Sequence, residues 1–244
     1  MLTILTDAWH TLVPPAGDRD GPLAPLLLVL TVVTGLVDAF SYLVLGQVFV
    51  ANMTGNVLFL GLAVAGANGF TVAVHLVAIG AFSVGAALSG RVVLRCADSR
   101  GRMLARTAAA QTGLVALSWI VAAAVGNPGS GTSRYVLVVL LAMSGGLQTG
   151  TARRLGVPDL ITTVLTRTIA GAAFDSRLGG GDNSQVGRRG LAVAALFAGA
   201  AVGAALALHV SRSLALVTAL GLLVTVMVSS GRRARLHPSW DKAG

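Results

Sequence analysis

The chain has 244 residues, of which 55% are hydrophobic and 11% charged, with a mean hydropathy of +0.80. Soluble proteins carry about 25% charged residues, so this composition excludes an ordinary soluble domain and predicts an integral membrane protein. The net charge is +9, and all basic residues except Lys242 are arginine. In a membrane protein such arginines are expected at the cytoplasmic face, so no nucleic-acid partner is predicted. A single cysteine, Cys96, excludes an intramolecular disulfide and a multi-cysteine metal site, and no cofactor is expected.

Eight apolar stretches follow one another and leave no room for a separate soluble domain. They lie at 26–45, 47–66, 71–90, 107–126, 135–151, 158–174, 191–211 and 213–230. We predict a single membrane domain over residues 23–230, between an N-terminal tail of residues 1–22 and a basic C-terminal tail of residues 231–244. The N-terminal tail lacks the apolar core of a cleavable signal peptide, so the first hydrophobic helix is expected to direct insertion.

The distribution of Lys and Arg indicates which stretches cross the membrane. If all eight cross, the two sides carry nine and eight basic residues, which is no asymmetry. If 47–66 and 158–174 instead enter and return to the same side, the split is fifteen to two, with only Arg134 and Arg212 on the poorer side. This second arrangement predicts six spanning helices with both termini in the cytoplasm of a bacterial inner membrane. A seven-helix variant, in which the N-terminus lies outside, changes the count only by Arg19 and stays open.

Three local similarities in the same order indicate two homologous halves, at about 26–126 and 135–230. Gly35 to Ala39 matches Gly146 to Gly150 at an offset of 111, Asn52 to Asn56 matches Val164 to Thr168 at 112, and Ala81, Gly85 and Ser89 match Ala195, Gly199 and Gly203 at 114. Each half would hold three spanning helices and one re-entrant element, and an odd number of crossings inverts one half relative to the other. The predicted fold is therefore all-α, with six transmembrane helices, two re-entrant elements and an inverted 3+3 repeat.

Two segments resemble the signatures of a known family. Leu30 to Gly61 reads LTVVTGLVDAFSYLVLGQVFVANMTGNVLFLG, and Gly146 to Thr166 reads GLQTGTARRLGVPDLITTVLT. Both are similar to signatures of the YoaK family of bacterial multi-pass membrane proteins, and the resemblance extends in order and spacing over essentially the whole chain. It implies a six-helix inner-membrane protein whose molecular activity is not established. Arg167 departs from the pattern, which has a small residue after Thr166.

Asp38 lies about two-thirds of the way along the otherwise apolar first helix. An ionisable group at that depth costs roughly 2.5 to 3.5 kcal/mol on insertion scales, so it should face the protein interior, a water-filled cavity or a partner. One interpretation is a proton or cation site on a pathway. The other is a structural carboxylate that accepts hydrogen bonds from loop amides at residues 51–56.

The first re-entrant element contains Asn52, Thr54, Gly55 and Asn56. Asn or Thr can cap a helix that begins near Thr54, and Gly55 permits a close backbone approach. A half-helix N-terminus inside the bilayer points free amides and a positive dipole end inward, which suits a carboxylate, a halide-like anion or a neutral polar solute. The alternative is that these side chains only satisfy the interrupted backbone.

The second re-entrant element starts at Pro158 and Asp159. Its uncharged hydroxyls are Thr162, Thr163, Thr166 and Thr168. Arg167 can bind an anionic substrate, pair with Asp38 across the repeat, or extend to the cytoplasmic surface, and all three interpretations stay open. Gln148, in the segment matching Gly35 to Ala39, is a further pathway candidate.

Other features favour structural roles. The small-residue ridges Ala81, Gly85, Ser89 and Ala195, Gly199, Gly203, Ala207 are typical of close helix packing. His75 and His209 stand alone and are expected to be hydrogen-bonded structural residues rather than metal ligands. The basic segments 91–106 and 231–242 are expected to contact anionic lipid headgroups.

The sequence therefore predicts a channel or secondary transporter for a small polar or anionic solute. No enzymatic activity is predicted, because no nucleophile, base and orienting group can be assembled. The alternative is a non-transporting membrane scaffold or assembly protein, whose small-residue ridges would also suit a homo-oligomer.

The predicted topology can be tested with a membrane-impermeant thiol reagent applied to intact cells. A cysteine introduced at Gly129, in a protein whose Cys96 is replaced by serine, should be labelled from outside. A cysteine at Gly180 should react only after the cells are permeabilised. Labelling of position 180 from outside would contradict the re-entrant assignment of 158–174.

Overall fold

The computed structural model describes residues 2–15, 18, 20, 22–95, 99–157, 165–176, 180, 181 and 185–236, and within them the regular structure is entirely α-helical. The helices are α1 (Leu2–Leu12), α2 (Leu23–Val44), α3 (Met53–Val64), α4 (Val72–Arg95), α5 (Arg100–Ala124), α6 (Gly131–Leu155), α7 (Leu165–Phe174), α8 (Val186–His209) and α9 (Leu214–Leu236). Of these, α2, α4, α5, α6, α8 and α9 are apolar and long enough to cross a bilayer. The six predicted transmembrane helices are thus confirmed.

Two helices lie partly or wholly in the predicted tails, whose limits stay predictions. α9 continues to Leu236, beyond the predicted start of the C-terminal tail at residue 231. The tail of residues 1–22 contains α1, which the apolar pattern did not single out because its eleven residues are too few to span a membrane.

Hydrogen bonds between helices fix their relative directions. Gln148 of α6 donates to the Leu30 carbonyl and to Thr34 of α2, and Arg134, near the start of α6, donates to the Gly46 carbonyl just after α2. Early residues of α2 therefore meet late residues of α6, and the two helices are antiparallel.

α6 and α4 are parallel. A Cβ at Gly85 would overlap the backbone of Met143, and one at Gly150 would overlap the Ser89 side chain. The contact of Gly85 with Met143 comes before the contact of Ser89 with Gly150 on both helices, so the two helices run in the same direction. Since α6 is antiparallel to α2, α4 is antiparallel to α2 as well. The segment between α2 and α4, which contains α3, consequently begins and ends at the same end of the bundle.

The same reasoning applies to the second half. Gly199 lies against Val32 and Gly203 against Leu36, so α8 is parallel to α2 and antiparallel to α6. The segment between α6 and α8, which contains α7, also returns to the end at which it began.

The two ends of the bundle differ in charge. We call the end at which α2, α5 and α8 begin and α4, α6 and α9 finish the arginine-rich end, and we call the other the opposite end. Arg134 and Arg212 lie near the opposite end, as the topology of six crossings requires.

The chain after α2 descends into the bundle before α3 begins. Gly46 is level with Arg134, whereas a Cβ at Gly145 would lie 2.6 Å from the Val50 carbonyl oxygen. Eleven helical residues separate Arg134 from Gly145, a rise of about 16 Å. Residues 46–52 thus form a descending arm that reaches the middle of α6, and α3 leads back over about 18 Å. Re-entry into the bilayer itself stays a prediction, and this placement is the one it requires.

The close helix contacts occur in matched pairs. A Cβ at Gly35 would overlap the backbone of Leu196 and Ala200, and a Cβ at Gly146 would overlap that of Phe82 and Ala86. These two glycines are offset by 111 residues, and their partners by 114. The small-residue ridges are therefore confirmed as close-packing faces.

Helix neighbours follow the same correspondence. α2 packs on α8 as α6 packs on α4, α3 packs on α4 as α7 packs on α8, and α2 contacts α9 as α6 contacts α5. This is the arrangement expected of an inverted repeat of α2–α5 and α6–α9, and the repeat itself stays a prediction.

Residues near the N-terminus close the arginine-rich end. The Arg188 amide, in the first turn of α8, donates to the Asp7 carboxylate of α1 at 2.9 Å. Asp20 pairs with Arg100 at 3.2 Å, and Arg100 also donates to the Leu155 carbonyl at the end of α6. These contacts connect α1 and the start of α2 to helices of both halves.

We expect the glycines at close helix contacts not to tolerate a larger side chain. Gly85→Val should lower the free energy of unfolding by about 2 kcal/mol or more, because the added side chain must displace the backbone of α6. Gly80→Val is the matched control, since Gly80 is on the same helix and a Cβ there meets nothing within 4 Å. Thermal unfolding in detergent measures the difference, and equal effects of the two substitutions would contradict the packing.

Candidate functional site

Asp38 binds the descending arm. Its Oδ1 atom accepts hydrogen bonds from the amides of Val50 and Ala51, at 2.8 and 2.9 Å, and the side chain is buried. Charge-assisted hydrogen bonds of this kind are among the strongest available to a buried carboxylate. This geometry is that of the structural carboxylate, with Ala51 inside the predicted range of residues 51–56 and Val50 just before it.

Asn56 fixes the arm to α3 through a pair of bonds to one residue. Its Oδ1 accepts from the Phe49 amide at 3.0 Å, and its Nδ2 donates to the Phe49 carbonyl at 2.6 Å. The side-chain amide thus replaces the backbone partner that a regular helix or strand would have supplied. Asn56 is fully buried, and both of its bonds to Phe49 hold the arm against α3, which is a structural role.

Gly55 is close to an aromatic ring. A Cβ at this position would lie 2.7 Å from a ring carbon of Phe49, so the absent side chain makes room for that ring. Phe49 stacks between Tyr42 and Phe59, with ring centroids 5.2 and 5.7 Å away. The close approach predicted for Gly55 is therefore observed, but it is made by Phe49.

The start of α3 faces outward. Asn52 and Thr54 are exposed, and Asn52, at the cap position, makes no side-chain capping bond. The first amides of a helix lack partners within the helix, so this terminus presents donors and a positive dipole end to its surroundings. It lies about midway along the bundle, next to the arm that Asp38 holds.

A layer of buried polar side chains joins α2, α5 and α6. Gln148 donates to Thr34 at 2.8 Å and accepts from Gln111 at 3.3 Å, while Gln111 also donates to the Ser144 carbonyl. Gln148 is thus placed at an interhelical junction and not at an open surface. Gln111 was not singled out from the sequence because a lone amide in an apolar stretch carries no spacing signal.

The second half of the candidate set is only partly described. Thr163 lies outside the described residues, as do Pro158, Asp159 and Thr162. In α7, Thr166 is exposed and Thr168 is buried. Arg167 belongs to α7, but its side chain lies outside what the structure describes, so its pairing with Asp38 stays a prediction.

The sequence did not predict that three polar residues near the opposite end come together. His75, Gln47 and Arg134 each have a buried side-chain atom without a hydrogen-bond partner, namely His75 Nε2, Gln47 Oε1 and Arg134 Nε. They come from α4, the descending arm and α6, so only the tertiary structure brings them to one level. His75 is hydrogen-bonded, as predicted, because its Nδ1 lies 3.4 Å from Asn56 Oδ1.

Comparisons with known proteins agree with the membrane class. Residues 26–229 match the family model described as "Protein of unknown function (DUF1275)". The chain is 34% identical over 150 residues to the "UPF0700 transmembrane protein YoaK" of Bacillus subtilis (strain 168), an alignment that covers 62% of this chain and 65% of that protein. No solved structure matches.

Replacing Asp38 should reveal what its carboxylate holds. Asp38→Leu leaves two buried amides without an acceptor, and each such group costs about 1–3 kcal/mol. We expect a large fall in the thermal unfolding midpoint in detergent, and a smaller one for Asp38→Asn, which retains an acceptor oxygen. If Asn proves as damaging as Leu, the negative charge itself is required, as in pairing with Arg167.

Proposed function

Because the chain belongs to the DUF1275 family of unknown function, which fixes no activity, we propose from its geometry that it is a channel or secondary transporter for a small polar or anionic solute. The observation that carries the proposal is the start of α3. There an interrupted backbone, a free helix terminus and two exposed polar side chains, Asn52 and Thr54, lie at the middle of a membrane-spanning bundle.

Lipid hydrocarbon cannot form the hydrogen bonds that an interrupted backbone and a helix terminus require. Each unsatisfied backbone group in lipid costs several kcal/mol, so irregular backbone at membrane depth is tolerated where protein buries it or where it lines a water-filled cavity. The arm itself is buried through Val50 and Ala51, but the α3 terminus is exposed. An aqueous pathway beside Asn52 and Thr54 resolves this conflict.

The matched helix contacts support the same proposal. Transporters built from inverted repeats place discontinuous helices near the midplane, where half-helix N-termini face anionic groups. α3 and α7 occupy corresponding positions against α4 and α8. Two such elements, one from each half, can converge on a solute from opposite sides.

The proposed orientation follows from charge. Residues of the arginine-rich end include Arg91, Arg95, Arg102, Arg106, Arg153, Arg154, Arg232 and Arg233. We place this end and both termini in the cytoplasm of a bacterial inner membrane, where these residues also meet anionic lipid headgroups.

A non-transporting scaffold is the second candidate, and α8 favours it. This helix is the least buried of the six spans, and Phe197 and Leu208 expose 73% and 64% of their surface. Ala194, Ala198, Ala201 and Ala205 are exposed beside them, which suits helix packing in a homo-oligomer.

Flux in proteoliposomes tests the transporter. Liposomes containing the wild type should take up labelled lactate, chloride or glycerol faster than protein-free liposomes. Asn52→Leu should reduce that uptake severalfold, because the leucine side chain covers the α3 terminus and excludes water from it. The variant should still fold, because the Asn52 side chain makes no capping bond.

Asn68→Leu is the matched control, since Asn68 is an exposed asparagine in the loop between α3 and α4. It should leave uptake unchanged. No uptake of any of the three solutes by the wild type, with correctly folded protein in the liposomes, would shift the preference to the scaffold.

A further inference from the structure

We propose that His75, Gln47 and Arg134 form a binding site for a small hydroxycarboxylate near the opposite end of the bundle. Their partnerless atoms make up three of the five buried side-chain polar atoms that lack a hydrogen bond in the described part of the chain. Buried polar groups are nearly always satisfied, so a cluster of exceptions indicates a ligand or bound water. This inference rests on the proposed function and names a substrate class for it.

Contacts place the three residues together. The Arg134 guanidinium donates to the Gly46 carbonyl at 3.0 Å, beside Gln47 in the chain. Gln47 Oε1 lies 3.4 Å from where a Cβ of Gly69 would be, and Phe70, the next residue, packs against His75 with ring centroids 6.3 Å apart. The arm, the loop before α4 and the starts of α4 and α6 thus meet around these three residues.

The register of α4 and α6 agrees independently. The two helices are parallel, and Gly85 is level with Met143. Ten residues earlier on each helix, His75 is level with position 133, adjacent to Arg134.

The hydrogen bonds of Asn56 define what His75 offers. Asn56 Oδ1 accepts from the Phe49 amide while Nδ2 donates to the Phe49 carbonyl, so exchanging the two atoms would lose both bonds. Oδ1 is therefore the acceptor for His75, and Nδ1 carries the hydrogen. A buried imidazole beside a guanidinium is neutral, because a second buried cation is costly. Its Nε2 presents a lone pair.

These groups specify the ligand. Arg134 Nε–H and its positive charge suit a carboxylate. His75 Nε2 and Gln47 Oε1 are acceptors and require a hydroxyl or amino hydrogen. An ammonium group would place a second positive charge beside Arg134, so a hydroxyl is favoured. The rings of Phe59 and Phe70, 5.0 Å apart, provide an apolar wall for a short carbon skeleton.

Two glycines occupy turns that contact these residues. Gly46 and Gly69 have φ values of +86° and +89°, a backbone region that favours glycine. A side chain at Gly46 would collide with the Arg134 guanidinium, 2.7 Å from the Cβ position. The turns on both sides of Gln47 thus leave the guanidinium against bare backbone.

Equilibrium binding of lactate and propionate tests the site. The two acids share a carbon skeleton and differ in the hydroxyl, so the purified wild type should bind lactate about tenfold or more tightly than propionate. Isothermal titration calorimetry in nanodiscs measures both constants. Alanine, with an ammonium in place of the hydroxyl, should bind more weakly than lactate.

Variants separate the contributions. His75→Asn can still donate to Asn56 but lacks the Nε2 acceptor, so it should abolish the preference for lactate while retaining propionate binding. Arg134→Gln should weaken both acids. Arg212→Gln, which removes the other arginine near the opposite end, is the matched control and should change neither. Unfolding midpoints of the variants without ligand establish that they are folded.

The outcomes are distinct. Absence of lactate binding to the wild type, no preference over propionate, or an equal loss in Arg212→Gln would overturn the site. If His75→Asn does not fold, the wild-type preference and Arg134→Gln still decide. Binding without flux in proteoliposomes would remove the transporter and keep the site, whereas flux unaffected by both variants would remove the site and keep the transporter.

Discussion

The structure depends on the requirement that backbone amides buried in an apolar protein interior find acceptors. Two of them, on Val50 and Ala51, find one carboxylate oxygen of Asp38. Without that acceptor the descending arm could not lie against Gly145 in the middle of α6, since each free amide would cost too much in an apolar interior. The placement of α3, and everything that its terminus can do, follows from this interaction.

Small residues make the rest of the arrangement possible. α2 and α8, like α4 and α6, approach until backbone meets backbone at Gly35, Gly85, Gly146 and Gly199. In a bilayer, where the hydrophobic effect gives little preference for helix contact over lipid contact, such close packing supplies much of the attraction. The arm can then rely on a rigid frame, and polar residues such as Gln148 can bridge three helices.

The candidate residues consequently divide by role. Asp38, Asn56 and Gln148 have their hydrogen-bonding capacity directed at the protein, and Gly55 accommodates Phe49. Asn52 and Thr54 face outward, and His75, Gln47 and Arg134 retain unused atoms. The groups best suited to meet a solute are thus those that the structural residues hold in place.

The sequence by itself determined the membrane class, the six spanning helices and the packing role of the small-residue ridges, because hydropathy, arginine asymmetry and four-residue spacing are local properties of the chain. It also located Asp38 and the 52–56 element, since polar groups are conspicuous in apolar stretches. It did not detect α1, whose stability comes from contacts with α8, or the meeting of Gln47, His75 and Arg134. Those depend on the parallel register of α4 and α6 and on the depth of the arm, which arise only when distant segments pack together.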